Sequence, residues 1–475
     1  VIIVLSPEAM HRLAELSARL ADLTEAEAVE WHQLHLATIP KAIEPYYSLA
    51  TPSAVPLYAG LLLLPSRAGG TAEHVDGTVS LQLTPHLHVL IRAAIPRVLV
   101  IQDLLDWTPA PELPPMPGLP EPPGTPSETG DTSWLGPARG WVVGKSAAAN
   151  AVTFHLVNFV EMDGGRITDG ESVWPGRVVV HVGPWIVTIN ARSDLRGVLQ
   201  TLRASGGYAV THTCRLERRD GRAFSVARCQ QLLTCLTWCL WFCRASAPAV
   251  VLPVGLDASG RAMWSRWAAP HTDPLPDRHW HWFDEAYGAE QLSTLLPLFY
   301  ERWGDPAWQA TLPLAVRYYA EAAVMGTLER NVILAQVALE SLAFAHLVRS
   351  SKQLEAGQFT APVSRHIRRF LDDVGIPTTI PRTFYGLRRV RASAPWDGPA
   401  AIAWLRNDIV HAARRRVHGR RRSKVWYQGW QLSLWYLELA VLAAVKYEGR
   451  YRNRLAGVPA TGAVEPVPWV KKRRA

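Results

Sequence analysis

The chain has 475 residues, 48% of them hydrophobic and 19% charged, and a formal net charge of +9. This composition excludes a globally disordered chain, since it carries enough apolar surface for large cores, and the length predicts two or three domains rather than one. The charge is unevenly placed: residues 360–475 hold 23 Lys and Arg against 7 Asp and Glu, which leaves the rest of the chain net acidic. A positive field confined to one end fits a polyanionic partner, nucleic acid first and an anionic membrane surface second.

In chain order, "SPEAMHRLAELSARLADLTEAEAVEWHQLH" predicts a helical opening, with Ser6 as cap and Pro7 in the first turn. Strand-like runs follow in "YAGLLLLP", "GTVSLQLT" and "HLHVLIRA"; the second alternates so that Val79, Leu81 and Leu83 share a face. Between 108 and 126, nine of nineteen residues are proline, a stretch that cannot donate to a sheet and reads as a semi-rigid linker or long loop. Strand patterns resume in "AVTFHLVNF", "RVVVHV", "WIVTINA" and "YAVTHTCRLERR", the last turning at Asp220-Gly221 into "RAFSV". Antiparallel hairpins are expected. A strand pair, "AVVLPVGLD" and "GRAMWSRW", closes the region.

Several small motifs are weaker than they look. "GWVVGKS" is no phosphate loop, because Arg139 stands where the pattern requires glycine. The pairs His86/His88 and His279/His281, the latter near Asp284, have metal-like spacing but no matching second half, so each reads as one face of a strand. Thr211 and His212 read as a half-buried strand pair satisfied by hydrogen bonds. Cys235, Cys239 and Cys243 recur every four residues in an apolar helix, Cys229 precedes them and Cys214 stands apart; all are expected as small buried hydrophobes. No metal and no cofactor is expected.

From about 286, helical periodicity takes over, with candidates near 290–302, 311–325, 327–349, 362–374, 397–413 and 424–447, which predicts a bundle. No stretch reaches the roughly 18 uninterrupted apolar residues of a bilayer span; the nearest, 430–445, is broken by Gln431 and Glu438. No charged-then-apolar leader opens the chain, so a cytoplasmic address without membrane is expected.

The stretch "WLRNDIVHAARRRVHGRRRSK" (404–424) concentrates cationic and proton-transferring groups. On a helix capped by Asp397, with Pro399 in its first turn, Ile402, Leu405 and Ile409 form the buried stripe, while Trp404, Asn407 and His411 fall on the outward side. Arg406 borders the stripe, about 140° around the axis from His411. One straight helix does not aim both at one phosphate, but two copies related by a twofold axis would, so a homodimer through the helical part is expected. Arg414, Arg415, Arg416, Arg420, Arg421, Arg422 and Lys424 follow as a tract suited to a phosphate backbone, with Gly419 breaking the helix between the triplets. The terminal "KKRRA" reads as a disordered tail. Glu340 lies on a helix apolar on nearly every side and calls for a cationic partner, for which Arg406 is one candidate.

"RNDIVH" matches the RxxxxH pattern, with asparagine after the arginine, of the HEPN superfamily, helical bundles often found as metal-independent ribonucleases. The long helices in "VRYYAEAAVMGTLERNVILAQVALESLAFA" and the ending "PVPWV" add to the resemblance. The β-rich part, through "GGYAVTHTCRLERRDGRAFS", is similar to N-terminal regions of ApeA-type anti-phage effectors. The resemblance implies Arg406 and His411 as catalytic residues with Asn407 orienting them, RNA as substrate, and products ending in a 2′,3′-cyclic phosphate and a 5′-hydroxyl.

The expected architecture is α+β: a helix and β-rich segment (1–107), a Pro-rich linker or loop (108–134), an antiparallel β-rich domain with the cysteine helix (135–285), a HEPN-like all-α domain (286–455) and a basic tail (456–475). The expected function is an endoribonuclease effector in anti-phage defence or growth arrest, triggered by a phage-derived molecule at residues 1–285. The alternative is a catalytically silent HEPN-like module that binds RNA or a nucleotide; a membrane-surface scaffold is disfavoured, since the basic tract has no amphipathic apolar face beside it.

Overall fold

The computed structural model describes residues 6–64, 73–93, 133–134, 141–144, 148–275, 280–324, 326–360, 362–390, 396–410, 422–457 and 460–473. The fold is α+β: antiparallel sheets occupy the N-terminal part and a mostly helical region follows. Two compact units emerge, one of Val1–Val179, Pro184–Val226 and Val250–Pro270, the other of Val180–Gly183, Ala227–Ala249 and His271–Ala475. The Pro-rich segment at 108–126 lies outside the described residues.

The strand-rich unit opens with α1 (Pro7–Ala18) and α2 (Glu25–Thr38). Ser6 caps α1 through a 3.2 Å bond from Ala9 N, and Thr24 and Glu27 form a reciprocal capping box on α2. The break between them turns the expected helical opening into a helix pair, tied by Arg12 to Glu30 at 2.9 Å. A four-stranded sheet follows, in the order β1 (Ala54–Leu64), β2 (Glu73–Gln82), β3 (His88–Ala93) and β4 (Ser133–Trp134). Val79, Leu81 and Leu83 are all buried, as the alternation requires.

The second sheet has eight strands: β5 (Trp141–Gly144), β6 (Ala151–Val157), β7 (Gly165–Thr168), β8 (Val173–Val182), β9 (Trp185–Ala191), β10 (Val210–Arg218), β11 (Ala249–Leu256) and β12 (Ala262–Trp267). Their spatial order is β5-β12-β11-β6-β10-β9-β8-β7. The amphipathic helix α3 (Leu195–Ser205), for which the sequence reading had no expectation, connects β9 to β10 and buries Leu195, Leu199 and Leu202. Sequence neighbours β8 and β9, and β11 and β12, lie side by side as expected, but β6 sits between β11 and β10 through long-range pairing. The expected strand "RAFSV" does not form: Phe224 makes a single bridge to Ala149, with paired backbone bonds of 3.0 and 2.8 Å, and a helix starts two residues later. Phe224 is drawn there by edge-on packing against Trp185.

His155 and His212, on adjacent strands of this sheet, are fully buried rather than half-buried. Burial pushes the His155 imidazole down to about 4 and that of His212 to about 3. Each Nδ1 meets a threonine hydroxyl, while each Nε2 has no hydrogen-bond partner among the described residues, which favours the neutral ring. The unfolded chain takes up protons near 6.5 and the folded chain only near 4 and below. Stability is therefore complete above about pH 6.5 and declines as pH falls towards 4, by roughly 1.4 kcal/mol per pH unit for each histidine. Half-buried His346 shifts the same way. Urea midpoints measured between pH 7 and pH 4.5 should fall continuously, and the slope should flatten in His212→Leu; a flat profile in the unsubstituted chain contradicts this account.

The helical unit contains α4 (Val226–Arg244), α5 (Gly288–Trp303), α6 (Thr311–Ala323), α7 (Leu328–Phe344, continued by a π turn to Ser350), α8 (Val363–Asp373), α9 (Tyr385–Val390), α10 (Gly398–Val410), α11 (Arg422–Ala444) and α12 (Pro468–Arg473). On α4, Cys229, Cys235, Cys239 and Cys243 are buried, and burial holds the Cys235 and Cys239 thiols well above the usual range, which leaves them protonated and inert. Helix α4 packs within this unit through Phe242, whose ring lies 5.1 Å from Trp282 and 5.7 Å from Tyr319.

The stretch Leu328–Ser350, 23 residues with mean hydropathy 1.5, is long and apolar enough to cross a membrane by composition; 56% of its most apolar window is buried inside the fold. The C-terminus is not wholly a tail: β14 (Glu465–Pro466) pairs with β13 (Arg450–Tyr451), and α12 carries the chain to Arg473. Fully buried Val467 and the Trp469 Nε1–Tyr447 carbonyl bond of 2.9 Å anchor that end against the bundle.

Candidate functional site

Helix α10 carries Arg406 and Asn407 of the RxxxxH stretch. Asp397 caps it, accepting from Ala400 N at 3.0 Å, and is held by the Arg368 guanidinium of α8. Two close approaches fix the helix in the bundle: a side chain at Gly398 would collide with the Tyr436 ring, and one at Gly429 on α11 with Leu405 Cδ1. Ile402 and Leu405 are buried as expected. Ile409 is only half-buried, and the neighbouring Asp408 is buried with it, so the buried stripe is broader than the i, i+3, i+7 pattern.

Arg406 and Asn407 are both half-buried, and Arg406 Nη1 donates to Asn407 Oδ1 at 3.2 Å. Trp404 is half-buried, its ring edge-on to Trp396 at 6.1 Å. Helix α10 ends at Val410, and His411, Arg414, Arg415, Arg416, Arg420 and Arg421 lie outside the described residues. Arg422 opens α11, and Lys424, exposed in its first turn, places Nζ 3.9 Å from the Tyr385 ring centroid. The Glu340–Arg406 ion pair does not form among the described residues. Glu340 is half-buried rather than enclosed, so it has less need of a buried cation, and the Arg406 guanidinium turns to Asn407 instead.

Glu438, on α11, is an enclosed carboxylate. It accepts from Arg454 Nη2 at 2.5 Å and from the Tyr319 hydroxyl at 2.6 Å, and both Glu438 and Arg454 are buried. Burial and the Glu438 charge hold the Tyr319 hydroxyl protonated, as that bond requires. Asp284, weighed in the sequence as a metal ligand, is instead a fully buried hub: it accepts from Arg452 at 2.7 and 3.0 Å and from the backbone of Ala286 and Gly462. His88 meets the His86 carbonyl at 2.7 Å, and His281 meets Arg244 at 2.8 Å. Among the described residues, no three His, Cys, Asp or Glu side chains gather as a metal site.

The strand-rich unit holds an open groove of about 560 Å³, lined among others by Pro52, Leu83, Arg192, Val198, Leu202 and Tyr208. Sequence reasoning missed it because its walls come from three separate segments. It also missed Tyr385, whose only signal in the sequence was an aromatic set among arginines.

Comparison with known proteins places these features in a family. Residues 144–278 match the YopA central domain and residues 305–465, which include α10 and the basic tract, match the YopA C-terminal domain. The SPbeta prophage-derived uncharacterized protein YopA of Bacillus subtilis (strain 168) is 30% identical over 324 residues, 67% of this chain and 72% of that protein. No solved structure matches the chain. With both domains matched in order and the relative aligned across most of its length, the chain belongs to the YopA family.

Proposed function

We propose that the chain is an RNA-cleaving effector whose helical unit, HEPN-like in its RxxxxH motif, cuts RNA without a metal. The observation that carries the reading is the Arg406–Asn407 pair: a cation held at 3.2 Å by its neighbour on a half-exposed helix face, one turn in sequence before His411 and directly ahead of the basic tract. An RNA phosphodiester holds its own nucleophile in the 2′-hydroxyl. Cleavage then needs a proton acceptor and a stabiliser for the charged phosphorane. His411 takes the proton and returns one to the 5′-oxygen, as an imidazole can near neutral pH, while Arg406 offers a planar fork of donors to the non-bridging oxygens. Asn407 keeps the fork oriented.

The five-residue spacing of Arg406 and His411 corresponds to about 140° on helical periodicity, so this reading has two copies of the chain complete each site and a homodimer as the active species. The prophage origin of the Bacillus subtilis relative fits an effector of phage–host conflict, with the strand-rich unit and its 560 Å³ groove receiving the trigger.

A synthetic RNA with a single scissile position tests the chemistry. With the 2′-hydroxyl there replaced by hydrogen, binding should persist and cleavage in chelator should vanish, because the nucleophile is gone; cutting of the deoxy substrate rejects the mechanism. If induced expression arrests growth only with His411 intact, the protein acts as an effector. RNA binding without cutting or arrest marks the silent binding module instead.

A further inference from the structure

Tyr385 and Tyr427 are each 47% exposed, in a bundle where Tyr319, Tyr436, Tyr447 and Tyr451 are buried and Tyr287, Tyr300 and Tyr318 half-buried. Tyr385 opens α9. Lys424 Nζ lies 3.9 Å from its ring centroid and the Arg389 guanidinium carbon 5.9 Å. Tyr427 stands three residues beyond Lys424 on α11 and therefore on the same helix face, its ring edge-on to Trp430 at 5.8 Å. Trp430 is in turn buried and bonded to the Ala322 carbonyl at 2.7 Å, so Tyr427 has a rigid support.

Tyr385 is equally well placed. Buried Gln428 accepts from Leu387 N at 3.0 Å and locks α9 to α11, and Gly386 sits so close that a side chain there would meet Gln428 Oε1 at 2.9 Å. The next residue on α11, Gly429, receives Leu405 of α10. One turn of α11 thus anchors both the helix bearing Tyr385 and the helix bearing Arg406.

The electrostatics are one-sided. Between Val374 and Leu437 the sequence has two carboxylates, Asp397 and Asp408, against twelve Lys and Arg. Asp397 is paired with Arg368 and Asp408 is buried, whereas Arg382, Arg388, Arg389 and Lys424 are exposed. Exposed, rigidly seated aromatic rings beside cations are the apparatus of single-strand recognition: the rings stack on unpaired bases and the cations take the phosphates. A duplex hides its base faces and gains nothing from the rings.

We infer that Tyr385 and Tyr427, with Lys424 and Arg389, form a base-stacking platform that selects single-stranded RNA. This rests on the reading of the helical unit as one that acts on RNA, and it names the form of that RNA. Long cationic side chains resting on the Tyr385 ring move onto phosphate when a base takes their place.

The test uses the full chain in chelator and a fluorescein-labelled single-stranded RNA of about 12 nucleotides, its duplex, and an abasic strand of equal length. Anisotropy should show Tyr385→Ala binding the single strand about 5- to 150-fold more weakly, Tyr427→Ala weaker in the same sense, and Tyr385→Phe close to the unsubstituted chain. Affinity for the duplex and the abasic strand should be unchanged by Tyr385→Ala. Equal single-strand affinity in Tyr385→Ala overturns the platform, as does a preference for duplex. Binding of poly-glutamate as tight as RNA, and independent of Tyr385, shows a surface for acidic protein and also overturns it. Cleavage by the unsubstituted chain and His411→Ala is read in parallel. Tyr385-dependent binding without His411-dependent cutting keeps the platform and removes the nuclease; His411-dependent cutting with Tyr385-independent binding does the reverse.

Discussion

Replacing His411 by alanine is expected to slow RNA cleavage by about 10²- to 10⁴-fold while leaving RNA affinity nearly unchanged. The imidazole is the group proposed to move protons to and from the reacting oxygens, and phosphate attraction is proposed to come from the arginines that follow it in sequence. Arg406→Ala should cost a comparable factor in rate, since the charge it offers is needed most when the phosphorane forms. Arg406→Lys should recover only part of it, because an ammonium lacks the planar fork. If two copies share a site, mixing inactive Arg406→Ala with inactive His411→Ala should restore cleavage, since one composite site then receives both intact groups. Single-turnover rates in chelator decide the matter: full activity in His411→Ala ends the nuclease reading, and failure of the mixture to recover ends the shared site.

The second large effect concerns stability. Arg454→Met is expected to destabilise the helical unit by about 3–5 kcal/mol, because it leaves the Glu438 carboxylate buried with its cation gone. The Glu438 bond from Tyr319 offsets only part of this loss. The double substitution Arg454→Met with Glu438→Leu should be far less harmful than the single one, since the charge needing compensation is removed as well. Urea denaturation of the two variants checks this; a loss below about 1 kcal/mol for Arg454→Met shows that the pair is not the constraint its burial implies.

The sequence carried a good deal of this structure because its periodicities are local. The two-residue alternation of Val79 and Leu81, continued by Leu83 just past the strand, gave the buried face of β2, and the four-residue spacing of Cys235, Cys239 and Cys243 gave the buried side of α4. Caps at Ser6 and Asp397 followed from side chains that satisfy backbone donors a turn away. For the same reason the placement of Arg406 and Asn407 side by side on one helix was legible in the sequence. It was less informative where pattern competes with context. "RAFSV" has strand composition, yet only one bridge forms there beside an edge-on indole, and α9, six residues long, offered too few turns for a period to stand out; α3 carries Leu195, Leu199 and Leu202 at helical spacing, a period that went unread between two strands.

What the sequence determined by itself was the order of β-rich and helical parts, the longer helical spans from 290 onward and the segregation of positive charge, since each is written in residues close together in the chain. Tertiary structure decided which groups separated in sequence meet: Glu438 with Arg454 and Tyr319 rather than Glu340 with Arg406, β6 between β11 and β10, and Tyr385 beside Lys424. The physical reason is that pairing between distant segments depends on which shapes and charges are left after each segment has folded locally, and no local period records that choice.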